Sequence, residues 1–341
     1  MPTPESRSTG TTVLEIVESR VLRGNPLGDP HVRRVPVYLP PSYGRNPHRR
    51  YPVLFNLIGF TGFGEMLTYR QTWGESFPER CDRLIAARKL VEAIVVMPDC
   101  FTRYGGSQYL NSSATGRYED HVVRELVPLI DRRFRTIPLP AARAVLGKSS
   151  GGYGALILAM RHPEVFGHVA CHSGDLYFEY CYAFGFPRHL NTVRKYGGTA
   201  GFLRAWEKMA HRNDSKLDDS INTIAMASCY SPNSKSKLGF DLPFDEGTGE
   251  MRPEVWKRWL AWDPVRMLPR YVENLRMLRT RFLDCGLEDE FHLQWGSRIF
   301  AAKARELGVP FVHEEFDGGH FGISYRYDRS LALISRRLTS R

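Results

Sequence analysis

The sequence predicts an α/β protein, with a mostly parallel central sheet covered by helices on both faces and a helical insertion. Three observations carry this expectation. Short apolar runs alternate with amphipathic helical patterns from about residue 53 to residue 174. The same alternation resumes at about residue 281 and continues almost to the C-terminus. Several of the apolar runs are continuous rather than alternating, which is the pattern of strands buried on both faces.

The elements follow in order. Residues 16–22 and 32–39 read as two early strands, and Pro40, Pro41 and Gly44 then mark a turn. Residues 53–58 form a short buried strand. A helix over 81–89 leads to a second buried strand at 93–97. Another helix spans 118–134, where Val122, Val123, Leu126, Leu129 and Ile130 form one apolar stripe. Strand 144–146, helix 152–161 and strand 169–171 complete the first block. The second block is strand 281–283, helix 293–307, strand 310–316 and helix 324–338. Residues 176–276 break the rhythm. They hold helical patterns at 200–211 and 254–260, a polar stretch at 231–237, and Trp206, Trp256, Trp259 and Trp262. That stretch reads as an insertion, either a lid over an apolar pocket or buried packing.

Composition narrows the classes. A length of 341 residues allows one large domain or two ordinary ones. Against 37 acidic residues stand 47 Lys and Arg, a net charge of +10. The excess is dispersed in isolated Arg doublets, so a solvated surface is expected rather than a nucleic-acid footprint. No apolar run reaches the roughly 18 residues of a membrane span. Residues 1–12 are polar and lack the apolar stretch of a secretory signal. Six widely spaced cysteines form no C-x-x-C pair, which suits reduced thiols in a cytoplasmic protein.

Gly147-Lys148-Ser149-Ser150-Gly151 fits G-x-S-x-G and sits between a strand and an apolar helix, the context that motif needs. A nucleophile on such a strained turn requires small neighbours, which Gly147, Gly151 and Gly152 supply. The following helix N-terminus and the Ser150 N–H favour a developing oxyanion. A phosphate-binding P-loop would need Gly at position 142, where Ala142 stands, and residues 143–146 read as strand instead.

A serine nucleophile needs a base, and the base an orienting acid, in the chain order Ser, acid, His. His320 follows the last strand in a Gly-flanked loop, whereas His162, His168 and His313 fall on a helix end, a loop and a strand. Asp289 lies three residues past Gly286, just beyond strand 281–283. Asp284, Glu288, Glu290 and Asp317 are neighbouring alternatives. A second oxyanion donor is expected in the Gly59–Gly64 loop, at the Phe60 N–H. No His, Asp or Glu spacing suggests a metal, and the chemistry needs no cofactor.

With these pieces placed, the chain resembles the esterase D / putative esterase family of α/β-hydrolases. That group includes S-formylglutathione hydrolases, feruloyl and enterochelin esterases, and the antigen 85 mycolyltransferases. The matching segments are Tyr51-Pro52-Val53-Leu54 through Gly59, Val96-Met97-Pro98-Asp99 and Gly116-Arg117-Tyr118-Glu119-Asp120. Gly147 to Gly154, His172-Ser173-Gly174 and Gly318-Gly319-His320 continue the set. The match covers about residues 14–174 and 278–338. It departs at Ile58-Gly59, where His-Gly is frequent, and at Lys148, where His, Asn or Gln is usual.

The resemblance implies a Ser149/Asp289/His320 triad and an acyl-enzyme route. The expected function is therefore a serine carboxylesterase acting on a small-molecule ester. A thioesterase, an acyltransferase and a catalytically silent binding protein are the alternatives. The expected organisation is one hydrolase domain over 1–341 with 176–276 as a cap, because Ser149 precedes that segment while Asp289 and His320 follow it. No nucleic-acid or membrane partner is expected, and homo-oligomerisation is left open. The +10 charge keeps one weaker reading, that an acidic substrate or product is favoured near the site.

Overall fold

The computed structural model describes residues 9–210, 212 and 217–340. Its ten strands are β1 (Thr11–Glu18), β2 (Val32–Leu39), β3 (Val53–Leu57), β4 (Ile94–Val96), β5 (Asn111–Ser112), β6 (Gly116–Arg117), β7 (Arg143–Lys148), β8 (His168–His172), β9 (Thr280–Gly286) and β10 (Val312–Phe316). Strands β5 and β6 form a small separate ribbon. The other eight make one sheet in the order β1-β2-β4-β3-β7-β8-β9-β10. From β4 to β10 every pairing is parallel, while β1 and β2 join as an antiparallel edge. This is the expected α/β architecture of the α/β-hydrolase type.

Burial explains why the inner runs are apolar without alternation. All five residues of β3 and all five of β8 are buried, because helices cover both faces of the sheet. Each fully buried Val, Leu or Phe contributes on the order of 1.5–3 kcal/mol. The inner register sets Leu57 beside Gly147, Lys148 beside His172, and His172 beside Asp284. The carboxyl ends of four strands are thereby gathered at one edge.

Several boundaries differ from the sequence reading, each for a physical reason. The first strand ends at Glu18 rather than running to Leu22, because Glu125 captures the next turn. Its carboxylate accepts from Ser19 Oγ (2.5 Å) and from the N–H groups of Arg20 (2.8 Å) and Val21 (3.0 Å). The helix expected over 81–89 is Phe77–Ala86. It starts at a reciprocal cap between Ser76 and Glu79, with Pro78 in its first turn. The helix expected over 118–134 is interrupted by a wider π turn, His121–Leu126. The C-terminal helix is Tyr327–Ser335, entered through a tight turn at Ile323–Arg326. The helix expected over 200–211 is Thr199–Lys208, and His211 lies outside the described residues, as do residues 1–8 of the polar N-terminus.

Residues 176–276 carry helices Phe178–Cys181, Phe186–Val193, Thr199–Lys208, Asp218–Tyr230 and Pro253–Leu260, among others. Their aromatic side chains pack on one another. Trp259 is fully buried, donates from Nε1 to Ser231 Oγ at 2.8 Å, and meets the Phe186 ring edge-on. Tyr153, on the helix after the nucleophile turn, meets Phe178 and Tyr230 from this segment. A single apolar core therefore runs from the sheet into the segment. All six cysteines are buried and unpaired. Among the described residues, no helix is long and apolar enough to cross a membrane.

Candidate active site

The residues singled out in the sequence converge on the carboxyl edge of the sheet. Ser149 follows β7 with φ 59° and ψ −131°, a conformation that side chains rarely adopt. Its N–H donates to the His172 carbonyl of β8 at 2.9 Å, and its carbonyl accepts from Tyr153 N–H at 2.9 Å. The turn is locked between a strand and helix Ser150–Arg161. Close packing enforces glycine here, since a Cβ on Gly151 would run into the Leu57 carbonyl of β3.

His320 and Asp289 come from the loops after β10 and β9. Nδ1 of His320 lies 2.8 Å from Asp289 Oδ2. Both residues are buried, at 3% and 2% exposure. Asp289 Oδ1 accepts from Phe291 N–H (3.0 Å), and Oδ2 also meets the Cys285 thiol at 3.6 Å. The His320 backbone is pinned separately, its N–H donating to Glu290 Oε2 at 2.5 Å. The Phe291 and Phe321 rings pack edge-on against the imidazole. Ser149 Oγ makes no hydrogen bond among the described residues, and such contacts often tighten only around a substrate.

The other acids and histidines have different duties. Asp284 is buried between His172 Nδ1 (2.7 Å) and Arg326 Nε (2.8 Å), with His172 Nε2 on Ser330 Oγ (2.8 Å). Glu288, Glu290 and Asp317 are all exposed, and of the three Glu290 accepts from the His320 N–H. His162 bonds Glu119, and His168 bonds Thr280 and the Ala141 carbonyl at the opposite edge of the sheet. His313 lies within β10.

The Gly59–Gly64 loop reaches the nucleophile. A Cβ on Gly59 would sit 3.2 Å from Ser149 Cβ, so the two backbones nearly touch. Neither Phe60 N–H nor Ser150 N–H donates to an acceptor among the described residues. The loop is braced from behind by residues 105–109. Thr61 N–H donates to Gly105 O (2.7 Å), Tyr109 OH donates to Ile58 O (2.6 Å), and the Phe60 ring lies over Gly105 and Gly106.

Lys148 is half-buried with its Nζ 5.1 Å above the exposed Phe321 ring. Burial pulls its ammonium pKa down, and the nearby Asp289 and Glu290 charges offset only part of this.

Sequence reasoning missed Gln108, Tyr109 and Asp175. Gln108 and Tyr109 have φ of 51° and 56°, a strain that no residue type announced. The Gly105-Gly106 pair was the one visible signal of a loop pressed against a neighbour.

The fold is of the α/β-hydrolase type. Residues 30–321 match the family described as "Putative esterase", and the chain belongs to that family. It is 33% identical over 153 residues to an endo-1,4-beta-xylanase/feruloyl esterase of Xylanibacter ruminicola, a match covering 41% of this chain and 19% of that protein. It is 36% identical over 146 residues to the esterase Rv1288 of Mycobacterium tuberculosis, covering 41% of this chain and 28% of that one. The chain thus spans only a minor part of these two relatives. Among solved structures, a ferulic acid esterase superposes with a TM-score of 0.60 at 22% identity, covering 96% of this chain and 98% of the other. The S-formylglutathione hydrolase of Agrobacterium tumefaciens gives 0.59 at 18%, covering 98% of each. At these identities the likeness is one of fold.

Proposed function

We propose that the protein is a serine esterase that hydrolyses carboxylic esters through an acyl-enzyme. The observation that carries this reading is the buried Asp289–His320 pair at 2.8 Å, at the sheet edge where Ser149 is held in a strained turn. Membership of an esterase family supports it.

In this reading His320 takes the proton from Ser149 Oγ as the oxygen attacks the ester carbonyl. Asp289 fixes the imidazole tautomer and stabilises its cation. The tetrahedral oxyanion settles against the Phe60 and Ser150 N–H groups, which have no competing acceptor. His320 gives its proton to the leaving alcohol. Water, deprotonated by His320, then attacks the acyl carbonyl and releases the acid and Ser149. Asp175, Tyr182 and Tyr230 stand beside this centre, so residues 176–276 are read as a cap on a single hydrolase unit that shapes its pocket.

The test is p-nitrophenyl ester hydrolysis by the wild type and Ser149→Ala. The variant is expected to lose several orders of magnitude in kcat while staying folded. Full retention of activity contradicts the reading. Relative kcat/KM on matched esters and thioesters separates an esterase from a thioesterase, and product analysis with an added alcohol detects acyl transfer.

A further inference from the structure

A buried polar group behind Ser150 has no part in that mechanism. Asp175 lies three residues beyond β8. Its Oδ2 accepts from Tyr182 OH (2.7 Å), Gln108 Nε2 (2.9 Å) and Ser150 Oγ (3.4 Å). Gln108 Nε2 also meets Tyr230 OH at 2.8 Å and Tyr182 OH at 2.9 Å, and the two hydroxyls are 3.1 Å apart. Burial raises the Asp175 carboxyl pKa, and the Tyr182 and Gln108 hydrogen bonds and the nearby His320 charge pull it back only in part.

Two acceptors are left over. Asp175 Oδ1 receives no hydrogen bond among the described residues, and the residue keeps 7% exposure. Gln108 is 1% exposed, and its Oε1 is buried with no partner. Rotating that amide by 180° does not cure the shortage. It would bury an unpaired NH2 instead and set the carbonyl against the Asp175 carboxylate. The buried, uncommitted Gln108 Oε1 costs free energy, and so do the left-handed conformations of Gln108 and Tyr109. Such costs call for an explanation, and use by a ligand supplies one here.

We propose that Asp175 Oδ1, with Oδ2 held by the Gln108 amide and the Tyr182 hydroxyl, forms a subsite for a hydrogen-bond donor carried by the substrate, a hydroxyl or an ammonium group. This rests on reading Ser149 and Ser150 as the catalytic centre. Because Asp175 touches Ser150 itself, the donor lies within a few bonds of the ester carbonyl. A carboxylate there repels an anionic group, so the overall +10 charge does not set the local preference. The donor can belong to either side of the ester, the acyl group or the alcohol.

Matched pairs distinguish the two. p-Nitrophenyl 3-hydroxybutyrate against p-nitrophenyl butyrate tests the acyl side. 2-Hydroxyethyl butyrate against propyl butyrate tests the alcohol side. In the wild type, one pair is expected to favour the hydroxyl-bearing ester by about tenfold or more in kcat/KM. In Asp175→Ala that preference is expected to fall to about unity. Ratios near unity for both pairs in the wild type overturn the proposal, as does a preference that survives Asp175→Ala. The wild-type ratios decide the matter even where the alanine variant does not fold. Fluorophosphonate labelling of Ser149 in the same preparation separates the two levels. Labelling with flat ratios removes only the subsite, and absence of labelling removes the catalytic reading beneath it.

Discussion

His320 Nδ1 stands 2.8 Å from Asp289 Oδ2, a side-chain contact between the loops after β9 and β10 that Glu290 and the Glu288 N–H reinforce. Both loops leave the same sheet edge, because Phe316 and Gly286 are register partners at the ends of those strands. The imidazole therefore has one orientation available, with Nε2 as its remaining nitrogen. Asp289→Asn keeps the shape and loses the charge that selects the tautomer. It is expected to lower kcat on the order of 10³-fold or more with an unchanged melting temperature. Steady-state kinetics and thermal unfolding check this together, and near wild-type kcat would assign the acid to another residue.

Glu290 acts on the same histidine from the backbone side, accepting from the His320 N–H at 2.5 Å. Glu290→Ala frees the loop without touching the imidazole nitrogens. A loss of about tenfold in kcat is expected, far smaller than for Asp289→Asn. A loss as large as that of Asp289→Asn would mean that Glu290 does more than hold the His320 backbone.

Ser149 carries strain at φ 59° and ψ −131°. Glycine adopts that backbone without strain, whereas alanine carries the same strain as serine. Both Ser149→Gly and Ser149→Ala are expected to be inactive, with Ser149→Gly the more stable by about 1 kcal/mol. Chemical denaturation of the two variants measures this. The opposite order would show that the turn is unstrained.

The Tyr109 hydroxyl donates to the Ile58 carbonyl at 2.6 Å and holds the loop that offers the Phe60 N–H. If that N–H serves the oxyanion as proposed, Tyr109→Phe is expected to lower kcat about tenfold with little change in KM. A change confined to KM would assign the loop to substrate binding.

Glu125 supplies a pH-dependent term away from the site. Burial pushes its carboxyl pKa up, but hydrogen bonds from His121, Ser19 and the Val21 N–H outweigh this and bring it from 4.5 down to about 2. A depressed folded value stabilises the protein above pH 4.5, and the gain is lost as pH falls from there towards about 2. Glu125→Gln is expected to cost about 1 kcal/mol at neutral pH, after allowance for solvent screening, and to flatten the acid limb of the stability profile. Unfolding midpoints across that range check it, and parallel curves for the two proteins would contradict it.

Much of this architecture was legible in the chain. Residues 53–58, 93–97 and 169–171 are apolar enough to declare strands. The glycines around Ser149 declare a turn that only small residues fit. Sequence order alone placed Asp289 and His320 in loops that the sheet register brings together. Gln108 and Asp175 were not legible, because their roles depend on a contact between segments 67 residues apart. The π turn at His121–Leu126 hid within an ordinary amphipathic pattern. The first strand stopped early because Glu125, far along the chain, binds the turn that follows it. Local pattern reports which face is apolar. It does not report which distant polar group will claim a backbone.

Ser149 is the residue proposed to carry the acyl group. Rapid acid quench of the wild type during turnover of a p-nitrophenyl ester, followed by peptide mass spectrometry, tests it most directly. One acyl adduct is expected on the peptide containing Ser149, and none in Ser149→Ala. An adduct on another residue, or turnover that continues in Ser149→Ala, would contradict it.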